Sequence, residues 1–243
     1  HYTLHWASTR GDGKQGQDVT DAILAMNQTI PSQITTKHTD LPTILEIRGE
    51  VILPNHDFEK LPELMPNTNF SNARNAVSGI LLRKDSDVET DLLEAQQLRS
   101  KLRFFAYEMV ADPQQSPMAL DGHVAQEIVA GMGFSIPSPI AKTELEFERD
   151  NQDLVDEWSN ATIAPMLDYY QALQLHRDER KRTKGYDWGD CEMDGCVHKV
   201  SQSDIRRLLG RSMKSPKWAV AHKFPPRAVV TKLLGITVQV GRT

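Results

Sequence analysis

The sequence contains very little cysteine, and this limits the structural sites that it can form. Two cysteines, Cys191 and Cys196, occur among 243 residues, so a framework of disulfide bonds is excluded and a reducing, cytoplasmic environment is expected. A zinc site needs more ligands than two thiols. His198 is near in the sequence, but it would share a strand with Cys196. Because side chains alternate between the faces of a strand, we expect these residues to present no tetrahedral set of zinc ligands. The sequence therefore predicts two structural thiols.

Long hydrophobic runs and a leader sequence are also missing. No stretch of about 18 apolar residues occurs, so we expect no membrane-spanning helix and no membrane partner. The start, His-Tyr-Thr-Leu-His-Trp, lacks the basic region and apolar stretch of a signal peptide. It alternates polar and apolar residues and lacks an initiator Met, so we expect the chain to begin inside a strand, with further sequence before it.

The net charge of −5 is small, but its sign changes along the chain. Residues 1–170 carry 13 basic and 26 acidic side chains, whereas residues 171–243 carry 15 basic and 7 acidic ones. A cationic final third could contact nucleic-acid phosphates while the remainder faces solvent. For the basic cluster at 177–182 alone, a solvated helix is the slightly favoured alternative.

Strand and helix patterns occur without regular alternation, which favours an α+β fold over a doubly wound sheet. The predicted strands cover residues 1–6, 44–53, 102–110, 193–200, 218–224 and 229–240. The predicted helices cover residues 18–26, 57–65, 124–130 and 165–184. Residues 72–81 are interpreted as a polar turn that leads into an apolar stretch, and residues 9–13, 111–118 and 135–142 as turns or loops.

Charged side chains interrupt three of these strands. They are Glu46, Arg48, Glu50, Asp194, Lys199 and Lys223. Charges within apolar strands are costly unless they are paired or bind a ligand. The lysines would suit a polyphosphate and the carboxylates a divalent cation such as Mg²⁺. Three further side chains fit such a site.

Arg10 and Arg74 would add positive charge, and Tyr107, on an aromatic strand, could stack on a base. The alternative is that each charge is an exposed strand residue and that Tyr107 is a core aromatic. Residue chemistry alone leaves both interpretations open.

Seven segments of the sequence follow the order of the motifs of one enzyme family. They are residues 9–20 with Arg-Gly-Asp-Gly, 46–51, 72–83, 104–107, 194–200, 215–225 and 238–243. Together they cover nearly the whole chain and resemble the nucleotidyltransferase core of NAD-dependent DNA ligases. The Arg-Gly-Asp-Gly loop and the final Val-Gly-Arg-Thr favour this branch over ATP-dependent ligases and capping enzymes.

The resemblance implies an ATP-grasp-like nucleotidyltransferase fold of antiparallel sheets flanked by helices over residues 1–230. Residues 231–243 would begin an oligonucleotide-binding (OB) barrel. In this family a lysine of a Lys-x-Asp-Gly motif attacks the α-phosphate of NAD⁺, and nicotinamide mononucleotide leaves. AMP then passes to the 5′-phosphate of nicked double-stranded DNA, and the 3′-hydroxyl displaces AMP to seal the strand.

The resemblance also implies roles in nucleotide binding. Arg10 and Glu50 would position the AMP ribose or phosphate, and Tyr107 would stack on adenine. Lys199 and Lys223 would contact the α-phosphate.

Metal and DNA contacts are implied in the same way. Asp194, together with Glu50, would hold Mg²⁺. Arg74 and Arg83 would face nicked DNA or the phosphates. We expect the protein to act as a monomer.

The largest departure from the family is the missing nucleophile. No Lys-x-Asp-Gly occurs in the sequence, and Ala-Leu-Asp-Gly at 119–122 has alanine in the lysine position at the wrong place. We expect the lysine to precede His1, so truncation is favoured over degeneration, and the chain should not adenylylate itself. Smaller departures are Gln17, Ala73, Glu108, His198 and His222.

Two other functions remain open from the sequence. One is a non-catalytic nucleotide-binding or DNA-binding remnant. The other is an RNA ligase or a capping-type nucleotidyltransferase.

Overall fold

The computed structural model describes residues 1–12, 15–26, 30–38, 41–66, 69–83, 89–111, 121–137, 164–179, 190–212, 215–226 and 230–238. The strands in these ranges are β1 (Tyr2–Thr3), β2 (Gln33–Ile34), β3 (Leu45–Ile52), β4 (Arg103–Ala111), β5 (Gly195–Lys199) and β6 (Ala219–Lys223). The helices are α1 (Thr20–Leu24), α2 (Asn55–Leu64), α3 (Ala73–Leu81), α4 (Glu89–Arg99), α5 (Gly122–Gly131), α6 (Ala164–Glu179) and α7 (Ser203–Leu209).

The strands form three antiparallel pairs, β1 with β2, β3 with β4, and β5 with β6. Helices are interspersed between them along the chain, so the predicted α+β class is confirmed. None of the described helices is both long enough and apolar enough to cross a membrane.

The main core packs helices against the β3–β4 ribbon. Three of its most deeply buried side chains come from helices, Ile80 from α3, Leu98 from α4 and Val129 from α5. The others lie just outside the elements; they are Met26 after α1, Leu53 after β3 and Leu102 before β4. Residues in α5 contact β4, and residues in α3 contact β3. The ribbon is thereby supported by helices and can hold side chains in fixed positions.

Helix α3 corrects the predicted turn and apolar stretch at 72–81. Its buried residues, Ala73, Ala76, Val77 and Ile80, have the spacing of one helical face. The side chain of Asn72 caps the helix by accepting a hydrogen bond of 2.8 Å from the Asn75 backbone N–H. The polar residues before the apolar stretch are therefore a helix start.

Two helices were not predicted. Helix α4 buries little besides Ala95, Leu98 and Arg99, and the described residues of α7 include no buried side chain. Their apolar periodicity is consequently too short to be recognised in the sequence.

A β-bulge shapes the middle of the β3–β4 ribbon. Arg48 pairs with Glu108, but the next residue, Gly49, pairs with Ala106, so Tyr107 is the extra residue on β4. A Cβ at Gly49 would lie 2.2 Å from the Phe104 ring, which only glycine avoids. A bulge re-aims the side chain that it carries, and in this ribbon that side chain is Tyr107.

The β5–β6 ribbon packs against α6 in a second, smaller core. Leu173 from α6 and Phe224 after β6 are its buried members, and Tyr170 packs beside them. The strands lie so close that a Cβ at Gly195 would be 2.2 Å from the carbonyl oxygen of His222.

The predicted barrel strand at 229–240 does not form in the described residues. Residues 230–238 are exposed and adopt no regular secondary structure. Their assignment to an OB barrel stays a prediction, and residues 229 and 239–243 lie outside the described ranges. Parts of other predicted segments also lie outside the described ranges; they are residues 180–184 of the predicted helix at 165–184, Gly13, and residues 112–118 and 138–142 of the predicted loops.

Candidate functional site

Tyr107 and Lys199 meet at the bulge of the β3–β4 ribbon. The Lys199 ammonium lies 4.8 Å from the centroid of the Tyr107 ring, and Lys199 Nζ donates to the Tyr107 carbonyl oxygen at 3.5 Å. Tyr107 keeps 37% of its surface exposed, so it is not a core aromatic. An aromatic ring and a cation are thus presented together at an accessible surface.

Arg10 and Glu50 act electrostatically on the same tyrosine. Burial raises the pKa of Tyr107, the charges of Glu50 and Glu108 raise it further, and Arg48 and Arg10 lower it. The phenol is therefore neutral at physiological pH. Arg10, Glu50, Tyr107 and Lys199 are called the tyrosine cluster below, because the structure brings these four predicted site residues into one electrostatic neighbourhood.

An ion-paired network supports the cluster from β3 and β4. Arg48 Nε donates to Glu46 Oε1 at 2.5 Å, and Arg48 Nη1 lies 3.4 Å from Glu108 Oε2. Glu46 and Arg48 are among the charged strand residues that the sequence analysis singled out. Their contacts are with each other and with Glu108, so they are positioned to hold the ribbon surface rather than to bind a ligand directly.

Lys199 is an exposed residue whose pKa is affected by the groups around it. Burial lowers its pKa, Glu108 opposes this shift, and the positive charge of Arg206 adds to it. Arg206 projects from α7, where its guanidinium lies 4.3 Å from the Trp218 ring centroid and donates to the Val200 carbonyl oxygen. Lys199 and Arg206 thus place two positive charges near each other, and both would attract an incoming anion.

A second group of predicted residues surrounds Asp194. Its Oδ2 atom lies 3.7 Å from Arg74 Nη2 and 3.7 Å from Lys223 Nζ. All three side chains are more than 60% exposed, so these pairs stabilise the fold by at most about 1 kcal/mol each. Arg74, Asp194 and Lys223 are called the aspartate triad below, and their charges are available to a ligand.

The two groups occupy opposite ends of the same ribbon. Gly195 pairs with Lys223 and Lys199 pairs with Ala219, so both lysines lie on one face. Gly195 and Lys199 are four positions apart, which is roughly 13 Å along a strand. The structure therefore divides the predicted phosphate contacts between two groups rather than placing both lysines side by side.

Arg83 has contacts of a different kind. Its Nη1 atom lies 3.3 Å from Glu94 Oε1 on α4, and its carbonyl oxygen accepts a hydrogen bond of 2.6 Å from Arg99. These contacts tie Arg83 to α4, and its predicted role toward DNA stays a prediction.

Cys196 belongs to a group of donor atoms that the sequence did not predict. Because side chains alternate along a strand, Cys196 and His198 share one face of β5, and His222 lies directly across from Cys196. Their three donor atoms lie within 4.8 Å of one another, and among the described residues they form the group that could hold a metal ion. Neither Glu50 nor Asp194 belongs to it, so the predicted metal role of these two carboxylates stays a prediction.

Comparison with known proteins identifies the family of this site. The sequence profile of the NAD-dependent DNA ligase adenylation domain matches residues 1–227. The chain belongs to this family. The recognition made from the seven motif segments is confirmed.

Curated DNA ligases match the adenylation-domain chain along nearly its full length. The DNA ligase of Marinobacter nauticus is 33% identical over 100% of this chain and 31% of its own length. The DNA ligase of Parvibaculum lavamentivorans is 31% identical over 97% of the chain and 28% of its own length. That of Bifidobacterium animalis subsp. lactis is 33% identical over 97% of the chain and 24% of its own length. The chain thus spans between a quarter and a third of the relatives that it matches.

Two features of this adenylation domain escaped the sequence interpretation. The bulge that presents Tyr107 depends on the register of β3 against β4, which no local pattern reveals. Arg206 enters the surroundings of Lys199 from α7, a helix without a buried face. Glycine inside a strand often marks a bulge, so Gly49 was the sequence signal for the first feature.

Proposed function

We propose that this chain is the nucleotide-binding core of an NAD-dependent DNA ligase. Such a protein takes AMP from NAD⁺ and transfers it to the 5′-phosphate of a nick in double-stranded DNA, which it then seals. The observation that carries the proposal is the tyrosine cluster, in which an exposed aromatic ring and a lysine meet at one bulge, and the charges of Arg10 and Glu50 act on that ring, in a chain of the ligase adenylation family.

The tyrosine cluster suits the adenosine end of the nucleotide. The exposed ring of Tyr107 offers a stacking surface for adenine, and the carboxylate of Glu50 can accept hydrogen bonds from ribose hydroxyls. Lys199 and Arg10 supply positive charge for the phosphate that carries the ribose. The neutral state of the Tyr107 phenol removes charge repulsion against that phosphate.

The aspartate triad suits the phosphates and Mg²⁺. Mg²⁺ is held in proteins through one or two carboxylates and keeps several waters, and the Asp194 side chain is 62% exposed. Asp194 is thus a chemically suitable ligand, although two cations already contact it. The metal would neutralise phosphate charge, and Lys223 and Arg74 would orient the phosphate oxygens.

The nucleophile lies outside this sequence in the proposed reaction. The family motif Lys-x-Asp-Gly does not occur among the 243 residues. The chain should consequently bind the nucleotide without forming a covalent bond to AMP.

Intact-mass measurement and calorimetry of this chain test the binding half of the proposal. After incubation with NAD⁺ and Mg²⁺ the mass should be unchanged, while titration with AMP should release heat that saturates. Lys199→Ala should weaken AMP binding, whereas Lys60→Ala on α2 is the control that should not. An AMP adduct, or equal affinity of Lys199→Ala and the wild type, contradicts the assignment of this site.

The protein encoded by the complete gene tests the catalytic half. It should form an AMP adduct with NAD⁺ but not with ATP or GTP, and should join the strands of a nicked duplex on a denaturing gel. Labelling by ATP or GTP alone would favour an RNA ligase or capping-type enzyme. Nucleotide binding without any adduct would instead favour a non-catalytic remnant.

A further inference from the structure

A thiol and two imidazoles converge on the face of the β5–β6 ribbon that points away from the lysines. Lys199 and Lys223 belong to one side of the ribbon by strand alternation, and Cys196, His198 and His222 belong to the other. The latter face packs against α6. The three side chains are therefore separate from the proposed nucleotide site although they belong to the same strands.

Two donor-atom distances within this cluster match those of a tetrahedral zinc site. His198 Nε2 lies 3.3 Å from His222 Nδ1, and Cys196 Sγ lies 3.5 Å from His198 Nε2. Zinc bonds of about 2.0–2.1 Å to nitrogen and about 2.3 Å to sulfur, at tetrahedral angles, place two nitrogens about 3.3 Å apart and sulfur about 3.5 Å from nitrogen. Two of the three donor distances thus already match those around a bound ion, and the third, between Cys196 and His222, is no more than 4.8 Å.

Hydrogen bonding alone satisfies this cluster poorly. The Nε2 atom of His198 faces both the thiol and the second imidazole, yet a ring nitrogen either carries one proton or offers one lone pair. The Cys196 thiol and the His222 imidazole therefore compete for one hydrogen bond with this atom. A metal ion at the centre removes this competition, because all three atoms then donate lone pairs to it.

The ring of His222 is held in place by a neighbouring aromatic residue. Tyr170 from α6 stacks on it with a centroid distance of 3.6 Å and an interplanar angle of 7°. The Tyr170 hydroxyl donates to the Lys223 carbonyl oxygen at 3.1 Å, which fixes the tyrosine itself. Such supporting contacts orient a histidine before a metal binds.

We propose that Cys196, His198 and His222 bind one Zn²⁺ ion. Within the described part of the chain they supply three ligands, which leaves the fourth tetrahedral position to water. On binding, the S–H bond of Cys196 breaks, its proton passes to solvent, and a zinc–sulfur bond forms, while both imidazoles bind as neutral ligands. The ion would link β5 to β6 beneath α6 and stiffen the ribbon that carries both lysines.

Cobalt substitution tests this site directly on the reduced, chelator-treated chain. Titration with Co²⁺ should produce a thiolate-to-cobalt charge-transfer band that saturates at one ion per chain, and one equivalent of Zn²⁺ should abolish it. The readout is binding, so it is independent of whether the protein acts as a ligase. No charge-transfer band, or saturation at one ion per two chains, contradicts the proposal.

Matched variants locate the site. Cys196→Ser should remove the charge-transfer band, and Cys191→Ser, the control at the other cysteine, should retain it. His222→Phe preserves an aromatic ring against Tyr170 and should lower Zn²⁺ affinity at least about 10-fold, the smallest effect typical of disturbing a metal site. If Cys196→Ser loses its far-ultraviolet circular dichroism signal, that variant is unfolded, and the Zn²⁺ affinity of His222→Phe then tests the site. Unchanged affinity in a folded His222→Phe variant overturns the assignment.

Discussion

Single residues in this adenylation domain are constrained most strongly where two backbones approach each other. Gly195 has a φ of 156° and faces the carbonyl oxygen of His222 across the ribbon. A side chain at this position would force β5 and β6 apart, and both predicted lysines project from these strands. The smallest residue is therefore needed for the geometry of the site as well as for stability.

Gly195→Ala should lower the free energy of unfolding by about 2 kcal/mol, since overpacking typically costs about 1–3 kcal/mol. Urea denaturation followed by circular dichroism measures this. Gly131→Ala is the matched control, because a Cβ there meets no atom within 4 Å and the residue ends a helix. The control should be neutral or stabilising by up to about 1 kcal/mol. Equal stability of the two variants would show that the close approach at Gly195 is not constraining.

Helix α4 packs into the core through one face. Leu98 is 1% exposed, whereas Leu93, on the same helix, is 59% exposed. The helix also holds the backbone of Arg83 through Arg99. Its inner face thus determines how α3 and α4 meet beneath the β3–β4 ribbon.

Leu98→Ala should lower the free energy of unfolding by about 3 kcal/mol, because burying a leucine and filling its space together contribute about 2–5 kcal/mol. Leu93→Ala on the same helix should change it by less than about 0.5 kcal/mol. Thermal and chemical denaturation of both variants compare them directly. A similar loss in both would mean that α4 does not pack as the structure shows.

The start of α2 is joined to the segment before β5 through Asp190. Its Oδ2 accepts hydrogen bonds of 2.8 Å from the His56 backbone N–H and contacts His56 Nδ1 at 2.8 Å. Burial pushes the pKa of Asp190 up, but the hydrogen bonds from His56 and from Asn55 outweigh this and hold the pKa below its ordinary value. The carboxylate therefore stabilises the folded state when it is charged.

Asp190→Asn should lower the free energy of unfolding at pH 7 by about 0.5–1 kcal/mol, a small value because the group is half exposed. An acid with a depressed folded pKa stabilises the protein above its unfolded pKa of about 3.9 and loses that contribution as the pH falls through the folded pKa. The difference between wild type and variant should therefore vanish in acid. Denaturation at several pH values measures it, with Asp168→Asn on α6 as control. A difference that persists in acid, where Asp190 is protonated, would contradict the sign.

The whole molecule places the two predicted phosphate-binding lysines in separate surroundings. Lys199 adjoins the β4 bulge and Lys223 belongs to the aspartate triad, so the adenylate site of the proposed ligase extends along the β5–β6 ribbon. Sites separated by more than about 7–10 Å usually contribute independently. Residues that act together on one reacting atom do not contribute independently, and their effects are not additive.

In the protein encoded by the complete gene, Lys199→Ala and Lys223→Ala should each reduce the rate of adenylylation by NAD⁺ by about 10-fold or more, as expected for loss of a charged contact to phosphate. If the lysines contact different parts of the nucleotide, the double variant should show the product of the two reductions. Single-turnover rates give both numbers. A double variant no slower than the worse single variant would instead place both lysines on one phosphate.

The sequence predicted those parts of the site that depend on neighbouring residues, and it missed those that depend on contacts between distant segments. Strands β3, β4, β5 and β6 were predicted within a few residues, because alternation and β-branched or aromatic residues are local signals. Helix α3 was missed because Asn72, Arg74 and Asn75 make its start polar, and that start is recognisable only once the Asn72 side chain is seen to accept a hydrogen bond from the Asn75 N–H. Lys199 and Tyr107 were both singled out, but their contact joins positions 92 residues apart.

The sequence by itself determined the family and the kinds of residue in the candidate site, since seven motif segments in one order need no three-dimensional information. The tertiary structure alone decided how those residues are grouped. Register placed Tyr107 on a bulge, set Lys199 and Lys223 at opposite ends of one ribbon, and turned Cys196, His198 and His222 toward a common point. The physical reason is that strand pairing joins distant segments, and a shift of one residue would turn every side chain to the other face.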